Sequence, residues 1–260
     1  MPNSPHAATR VLLLGGTTEA SALAGRLAAR PEFQATMSLA GRTRNPKASP
    51  IPTRIGGFGG VDGLRAYIEH EGIDVVVDAT HPFAARMSHN AVAACAQTGC
   101  PLIAVERPPW RLQSGDNWQS VPGVEAGIAM LGPNPRRVLM AIGRQQLGLL
   151  EAQPQHTYVI RVIDPPAVPP KLPHSTLIAA RGPFTVADDI ALMKRERIEV
   201  IVAKNSGGDA AVAKLHAART LSIPVVMVDR PSVPQRTTVA TADAALDWLI
   251  RHHDRTKRGE

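Results

Sequence analysis

Short runs of aliphatic and β-branched residues recur along this chain, each followed by a longer amphipathic stretch, and that alternation leaves few folds open. The first runs are RVLLLG, ATMSLAG, IDVVVDAT and PLIAVE, and residues 18–30, 60–71 and 84–98 between them carry apolar residues at helical spacing. Runs that are apolar at consecutive positions must be covered on both faces, which is the condition of parallel strands sandwiched between helices. The sequence therefore predicts an α/β fold built on a Rossmann-like, doubly wound parallel sheet.

The pattern then restarts. LGPNPRR, residues 131–137, gathers proline, glycine and asparagine just before a fresh strand, VLMAIG, and is the candidate domain boundary. TYVIRVI, STLIAAR, IEVIVAK and PVVMVDR follow, with helices expected over residues 185–195, 209–221 and 243–251. DPPAVPPKLP, with five prolines in ten residues, fits only an extended crossing. Two Rossmann-like doubly wound parallel-sheet domains are expected, residues 1–131 and 132–260, facing a central cleft. The strand around Val225 suits either sheet.

Composition narrows what such a chain does. No apolar run approaches the roughly 18 residues of a membrane helix, and the first ten residues lack the apolar core of a secretory signal, so a cytoplasmic location without a membrane partner is expected. Cys95 and Cys100 lie five apart in a helical stretch, and His252 and His253 sit in a polar tail; neither is metal-ligand spacing, and no metal is expected. The net charge of +7 calls for an anionic partner, but only 3% of residues are aromatic and no recognition-helix motif is present, so nucleic acid is not the expected one.

The turn after the first strand, LLLGGTTEA, stands where open parallel sheets bind ligands, beyond a strand's carboxyl end and at a helix N-terminus. Gly15 and Gly16 would bring backbone N–H groups close to a phosphate, and Thr17 and Thr18 either cap the helix or bond that phosphate. The third glycine of G-x-G-x-x-G is missing, so the turn by itself is equally a tight strand-to-helix connection. MSLAGRTRN ends the second strand with Arg42 and Thr43 where NAD-specific units usually carry an acidic residue. An arginine there suits a 2′-phosphate, favouring NADPH over NADH.

After the third run comes DATHPFA, which sets Asp78, Thr80 and His81 at the same crevice edge. His81 is a candidate proton donor or a structural hydrogen-bonder. Several further strands end in a cation, at Arg107, Arg144, Arg181, Lys204 and Arg230, a placement suited to a ligand with several carboxylates or phosphates. AKNSGGDAA adds Asn205, Ser206 and Gly207 at a second helix entry, with backbone donors for an anion.

Taken in order, LLLGGTTEA, DATHPFA, VERPPW, IGRQQL, RGPF, AKNSGG and VDRP resemble the precorrin-6A reductase family of cobalamin biosynthesis, and they span nearly the whole chain. The resemblance implies NADPH as cofactor and a polycarboxylate tetrapyrrole, precorrin-6A, as substrate, reduced at one double bond to precorrin-6B. It further implies hydride delivery to C19 of the macrocycle and protonation at C18. Carried onto this chain, it assigns the cofactor to Gly15, Gly16, Thr17, Thr18, Arg42 and Thr43, and the substrate to Arg107, Arg144, Lys204, Asn205, Ser206, Gly207 and Arg230. By strand-end position, Asp78 and Thr80 are expected to join the cofactor site, and Thr80 and His81 to stand beside the reacting carbon.

Two alternatives remain at this level. A different NADP-dependent reductase is one, although the Y-x-x-x-K pair of the short-chain type is absent, since Tyr67 has Glu71 and Tyr158 has Val162 four residues on. A non-enzymatic two-domain anion-binding module is the other. The sequence sets no oligomeric state, and a monomer suffices for either reading.

Overall fold

A computed structural model of the chain describes residues 8–41 and 48–258. The first unit runs through β1 (Thr9–Leu14), α1 (Thr18–Ala28), β2 (Phe33–Leu39), β3 (Thr53–Ile55), α2 (Val61–Glu71), β4 (Val75–Asp78), α3 (Ala85–Thr98) and β5 (Leu102–Val105). Its sheet has the order β3-β2-β1-β4-β5, with β12 (Thr237–Val239) on the far edge, and every pairing is parallel. This is the order of a doubly wound nucleotide-binding sheet, whose direction of winding reverses between β1 and β4.

The unbroken apolar run at the start of β1 follows from that position. Val11 and Leu13 pack with Ala20, Leu23 and Leu27 of α1 and with Ala245 and Leu249 of α7 (Ala242–Arg258). Leu12 and Leu14 face the other way, against Leu64 and Ile68 of α2 and Ala91 and Ala94 of α3. Successive strand residues point to opposite faces, so a strand covered twice needs apolar residues at every position. Cys95 lies in the second cluster as a buried free thiol.

The second unit contains β6 (Trp118–Val121), α4 (Val124–Ala129), β7 (Arg137–Ala141), β8 (Thr157–Val162), β9 (Ser175–Ala179), α5 (Val186–Arg195), β10 (Val200–Lys204), α6 (Ala213–Leu221) and β11 (Val225–Val228), with 3-10 turns at Arg144–Ala152 and Asp209–Ala211. Its parallel sheet has the order β9-β8-β7-β10-β11-β6, so the Val225 strand completes this sheet. Leu139, Ile201, Ala203 and Met227 pack against Leu192 and Met193 of α5 and Leu215 and Ala218 of α6.

The compact units differ from the expected division at residue 131. One comprises Met1–Arg107 with Ser232–Glu260, and the other Pro108–Pro231. In each sheet the sixth strand arrives out of sequence: β12 reaches the first sheet only after the second is complete, and β6 precedes β7. Both are short edge strands with a single neighbour, and WQSV and TTV are too short and polar to carry a strand signal. The segment 131–137 is the α4–β7 connection inside the second unit.

The last helix runs on to Arg258 rather than stopping near residue 251. Arg26 grips Asp243 with Nε and Nη2 at 2.6 and 2.9 Å, and the buried His253 meets the Thr9 hydroxyl through Nδ1 at 2.7 Å. Arg255, Lys257 and Arg258 in its final turn oppose the negative end of the helix dipole. No described helix is long and apolar enough to cross a membrane.

Candidate active site

In the first unit the carboxyl ends of β1 and β4 meet at the winding reversal. Gly15 donates from its backbone to Ser38 at 2.9 Å, and a Cβ there would crowd Met37 Cγ and Sδ at 3.1 Å. Gly16 adopts φ 118°, a backbone open to glycine, and a Cβ on it would meet no atom within 4 Å. Among the described residues the space beside Gly16 is therefore clear, and α1 begins directly behind it. This arrangement fits a dinucleotide pyrophosphate at a helix N-terminus.

The two threonines of the turn are engaged within the protein. Thr17 caps α1, its hydroxyl accepting from Ala20 N at 3.1 Å while donating to the Ala79 carbonyl at 2.8 Å. Its hydroxyl proton is thus directed to the end of β4, so of the two expected roles the hydroxyl fills the helix cap here. Thr18 donates to Glu19 at 3.1 Å, and Glu19 in turn pairs with Arg107 at 2.8 Å. Burial pulls the Glu19 carboxyl up, but its own backbone N–H and Arg107 outweigh that and hold it below the usual carboxylate range. Arg107, expected to hold substrate, therefore neutralises an acidic residue in the first turn of α1.

Across the crevice, Asp78 is 2% exposed, beneath the rim rather than on it. Its Oδ1 accepts from Thr80 N at 3.1 Å and Thr80 Oγ1 at 2.7 Å, and its Oδ2 from Ser88 Oγ at 2.6 Å. Arg236 Nη2 lies 3.6 Å from Oδ2 and also bonds Glu106. Asp78 organises the turn from beneath. Thr80 is half-buried and His81 exposed above it. His81 Nδ1 accepts from Phe83 N at 3.2 Å, which places the proton of the neutral ring on Nε2.

Arg42 and Thr43 lie outside the described residues. In β3 stands a residue that sequence reasoning missed. Arg54 donates through Nη1 to Ser38 Oγ at 2.7 Å and Gly56 O at 3.0 Å, and its guanidinium covers the Phe58 ring at 3.9 Å. The available signal was the IGGFGG run that follows it. Gly63 is required there, because a Cβ would fall 1.7 Å from the Phe58 carbonyl oxygen.

In the second unit, Arg144, Arg181, Lys204 and Arg230 follow or end β7, β9, β10 and β11, so all stand at one edge of that sheet. Between them the Asn205–Ser206–Gly207 loop is held from two sides. The Asn205 amide accepts from Trp110 N at 2.8 Å and donates to Trp110 O at 3.0 Å, and Trp110 Nε1 donates to Gly208 O at 3.0 Å. Arg230 donates to Asn205 O at 3.0 Å and Ser206 O at 3.1 Å. Asn205 and Arg230, both expected to touch substrate, are thus the clamp that shapes the loop. Lys214, also missed, is buried beneath it, donating to Ala211 O with its ammonium 4.5 Å from the Trp110 ring centre. Among the described residues no cluster of histidine, cysteine and acidic side chains could hold a metal ion.

Residues 10–250 match the family described as Precorrin-6x reductase CbiJ/CobK. The chain belongs to that family. It is 55% identical over 251 residues to the precorrin-6A reductase of Rhodobacter capsulatus, covering 96% of this chain and 99% of that one. The precorrin-6A reductase of Mycobacterium tuberculosis is 42% identical over 226 residues, or 87% and 91% of the two chains. The cobalt-precorrin-6A reductase of Priestia megaterium is 28% identical over 253 residues, or 92% and 98%. The solved structure of CobK precorrin-6A reductase superposes with a TM-score of 0.89 at 55% identity, covering 94% of this chain and 97% of that one. Two six-stranded parallel α/β units are the architecture of this CbiJ/CobK family member.

Proposed function

We propose that the protein is an NADPH-dependent precorrin-6A reductase of cobalamin biosynthesis, acting on a free macrocycle in the cytoplasm. The observation that carries this reading is the 55% identity to the Rhodobacter capsulatus enzyme over nearly both whole chains. The metal-free substrate is favoured over its cobalt-containing equivalent, because the relatives named for the former are 42–55% identical and those named for the latter 27–28%.

NADPH, when bound, supplies the hydride that reduces one double bond of the macrocycle at C19, with a proton arriving at C18. The protein's part is positioning and charge. Gly15, Gly16 and the N-terminus of α1 hold the pyrophosphate; Arg42 and Thr43, together with Arg54, meet the 2′-phosphate. Thr80 and His81 border the nicotinamide end, where His81 is the candidate proton donor. Arg144, Arg181, Lys204 and the donors of the Ser206–Gly207 turn attract the acetate and propionate side chains of the substrate.

The test is to add precorrin-6A to the purified protein with NADPH or NADH and record nicotinamide absorbance together with the macrocycle spectrum. Loss of NADPH with a product two hydrogens heavier supports the reading, as does a preference for NADPH that Arg42→Ala abolishes. A protein that binds neither nucleotide is the anion-binding module instead.

A further inference from the structure

The turn carrying Thr80 is tied to a residue from the far end of the chain. Arg236 precedes β12, the strand that joins the first sheet last, and its side chain is 8% exposed. Its Nη2 lies between two carboxylates, 3.6 Å from Asp78 Oδ2 and bonded to Glu106. Glu106 is fixed on its other side, its backbone N–H donating to Val239 O of β12 at 2.8 Å.

Every group facing Asp78 in this network is a donor: Thr80 N, Thr80 Oγ1, Ser88 Oγ and the guanidinium. A carboxylate so surrounded only accepts, so the proton of the Thr80 hydroxyl must point inward to Asp78. Thr80 then has only lone pairs to offer on its exposed side. It is a fixed acceptor, unable to serve as proton donor to the macrocycle.

A nicotinamide ring carries one group that matches such an acceptor, the N–H of its carboxamide. The dinucleotide of a doubly wound sheet crosses the winding reversal, with the pyrophosphate at the first glycine turn and one ribose near the end of the second strand. Its nicotinamide end therefore lies on the side of β4, where Thr80 stands. We propose that Arg236 is a positioning residue: by bridging Glu106 and Asp78 it keeps Thr80 turned as a pure acceptor for the carboxamide N–H of the cofactor. This rests on the NADPH reading above.

Without the guanidinium, Asp78 and Glu106 lose the cation they share and Oδ2 keeps only its bond from Ser88, so the carboxylate that turns the Thr80 proton inward is held less firmly. The amide-specific contact is lost while the rest of the dinucleotide site is untouched. A bond of this kind to a buried partner corresponds to a several-fold to roughly tenfold change in affinity.

The test is calorimetric binding of NADPH and of its 3-acetylpyridine analogue, which keeps the ring carbonyl but has no N–H. The wild-type protein is expected to prefer NADPH several-fold. Thr80→Val and Arg236→Met are expected to bring the two ligands to nearly equal affinity, and Arg236→Lys, which returns a cation between the carboxylates, to restore part of the preference. Equal weakening of both ligands in Thr80→Val and Arg236→Met, with the preference intact, means a merely structural role and overturns the proposal. A wild-type protein that binds both ligands equally also overturns it, while one that binds neither overturns the NADPH reading first.

Discussion

Arg107 and Glu19 form an ion pair at 2.8 Å that joins the end of β5 to the first turn of α1. An acidic residue at that turn should repel a phosphate bound over the helix, and the pair explains how it is tolerated. Arg107→Met leaves the proposed pyrophosphate site beside an uncompensated carboxylate and is expected to weaken NADPH binding by about tenfold. Glu19→Gln in the same chain should recover most of that loss. Titrating NADPH against the two single variants and the double variant measures the coupling directly.

The Asn205–Ser206–Gly207 loop makes a second prediction. Gly207 holds φ 67°, and a Cβ on it would stand 2.1 Å from the Pro108 carbonyl oxygen and 2.6 Å from Arg230 Nη2. Gly207→Ala must displace the loop. Steady-state kinetics should show kcat/KM for the macrocycle falling by at least about tenfold, with NADPH affinity unchanged because the proposed cofactor turn belongs to the other unit.

Beneath the same sheet edge, Arg161 of β8 pairs with Asp189 of α5, with side chains 8% and 1% exposed. The Arg161 guanidinium also covers the Phe184 ring at 4.0 Å, next to the loop that carries Arg181. Arg161→Met leaves a buried carboxylate with no counter-charge, and denaturant unfolding should show a loss of roughly 3–5 kcal/mol. Arg161→Met with Asp189→Leu should be distinctly milder, since it removes both charges.

How much of this was legible in the sequence follows from how each signal is carried. β1, β4, β10 and β11 are covered on both faces and announce themselves as apolar runs, and the glycine turn and DATHPFA lie where those runs end. β6 and β12 are edge strands of four and three residues, identifiable only through their partners, so the chain's return to the first sheet could not be read. The same limit hid Arg236. Residue types singled out Asp78, Thr17, Asn205 and Arg230 at strand ends, but which way each side chain is turned depends on partners far away in sequence: Ala79 for Thr17, Trp110 for Asn205 and Arg236 for Asp78.

Acid stability gives a further prediction. His156 is fully buried, with Nδ1 accepting from Arg136 N at 3.2 Å and Nε2 meeting Gln153 Oε1 at 2.9 Å. Burial, and then the nearby Arg136 charge, push its pKa below the ordinary value. The unfolded chain, with histidine near 6.5, thus takes up the proton first, and stability is lost as pH falls from about 6.5 toward the folded value. Below that value the loss levels off. Unfolding midpoints from pH 8 to 5 should decline less steeply in His156→Gln than in the wild type, though from a lower starting point.

The account turns on direct delivery of hydrogen from NADPH to the macrocycle. The most direct measurement uses NADPH carrying deuterium at C4 of the nicotinamide, in each of its two stereochemical forms, with precorrin-6A as acceptor and the product read by mass and NMR. One form, and not the other, is predicted to place a single deuterium at C19. Reduced product free of deuterium from both forms, or no reduction at all, would contradict the account.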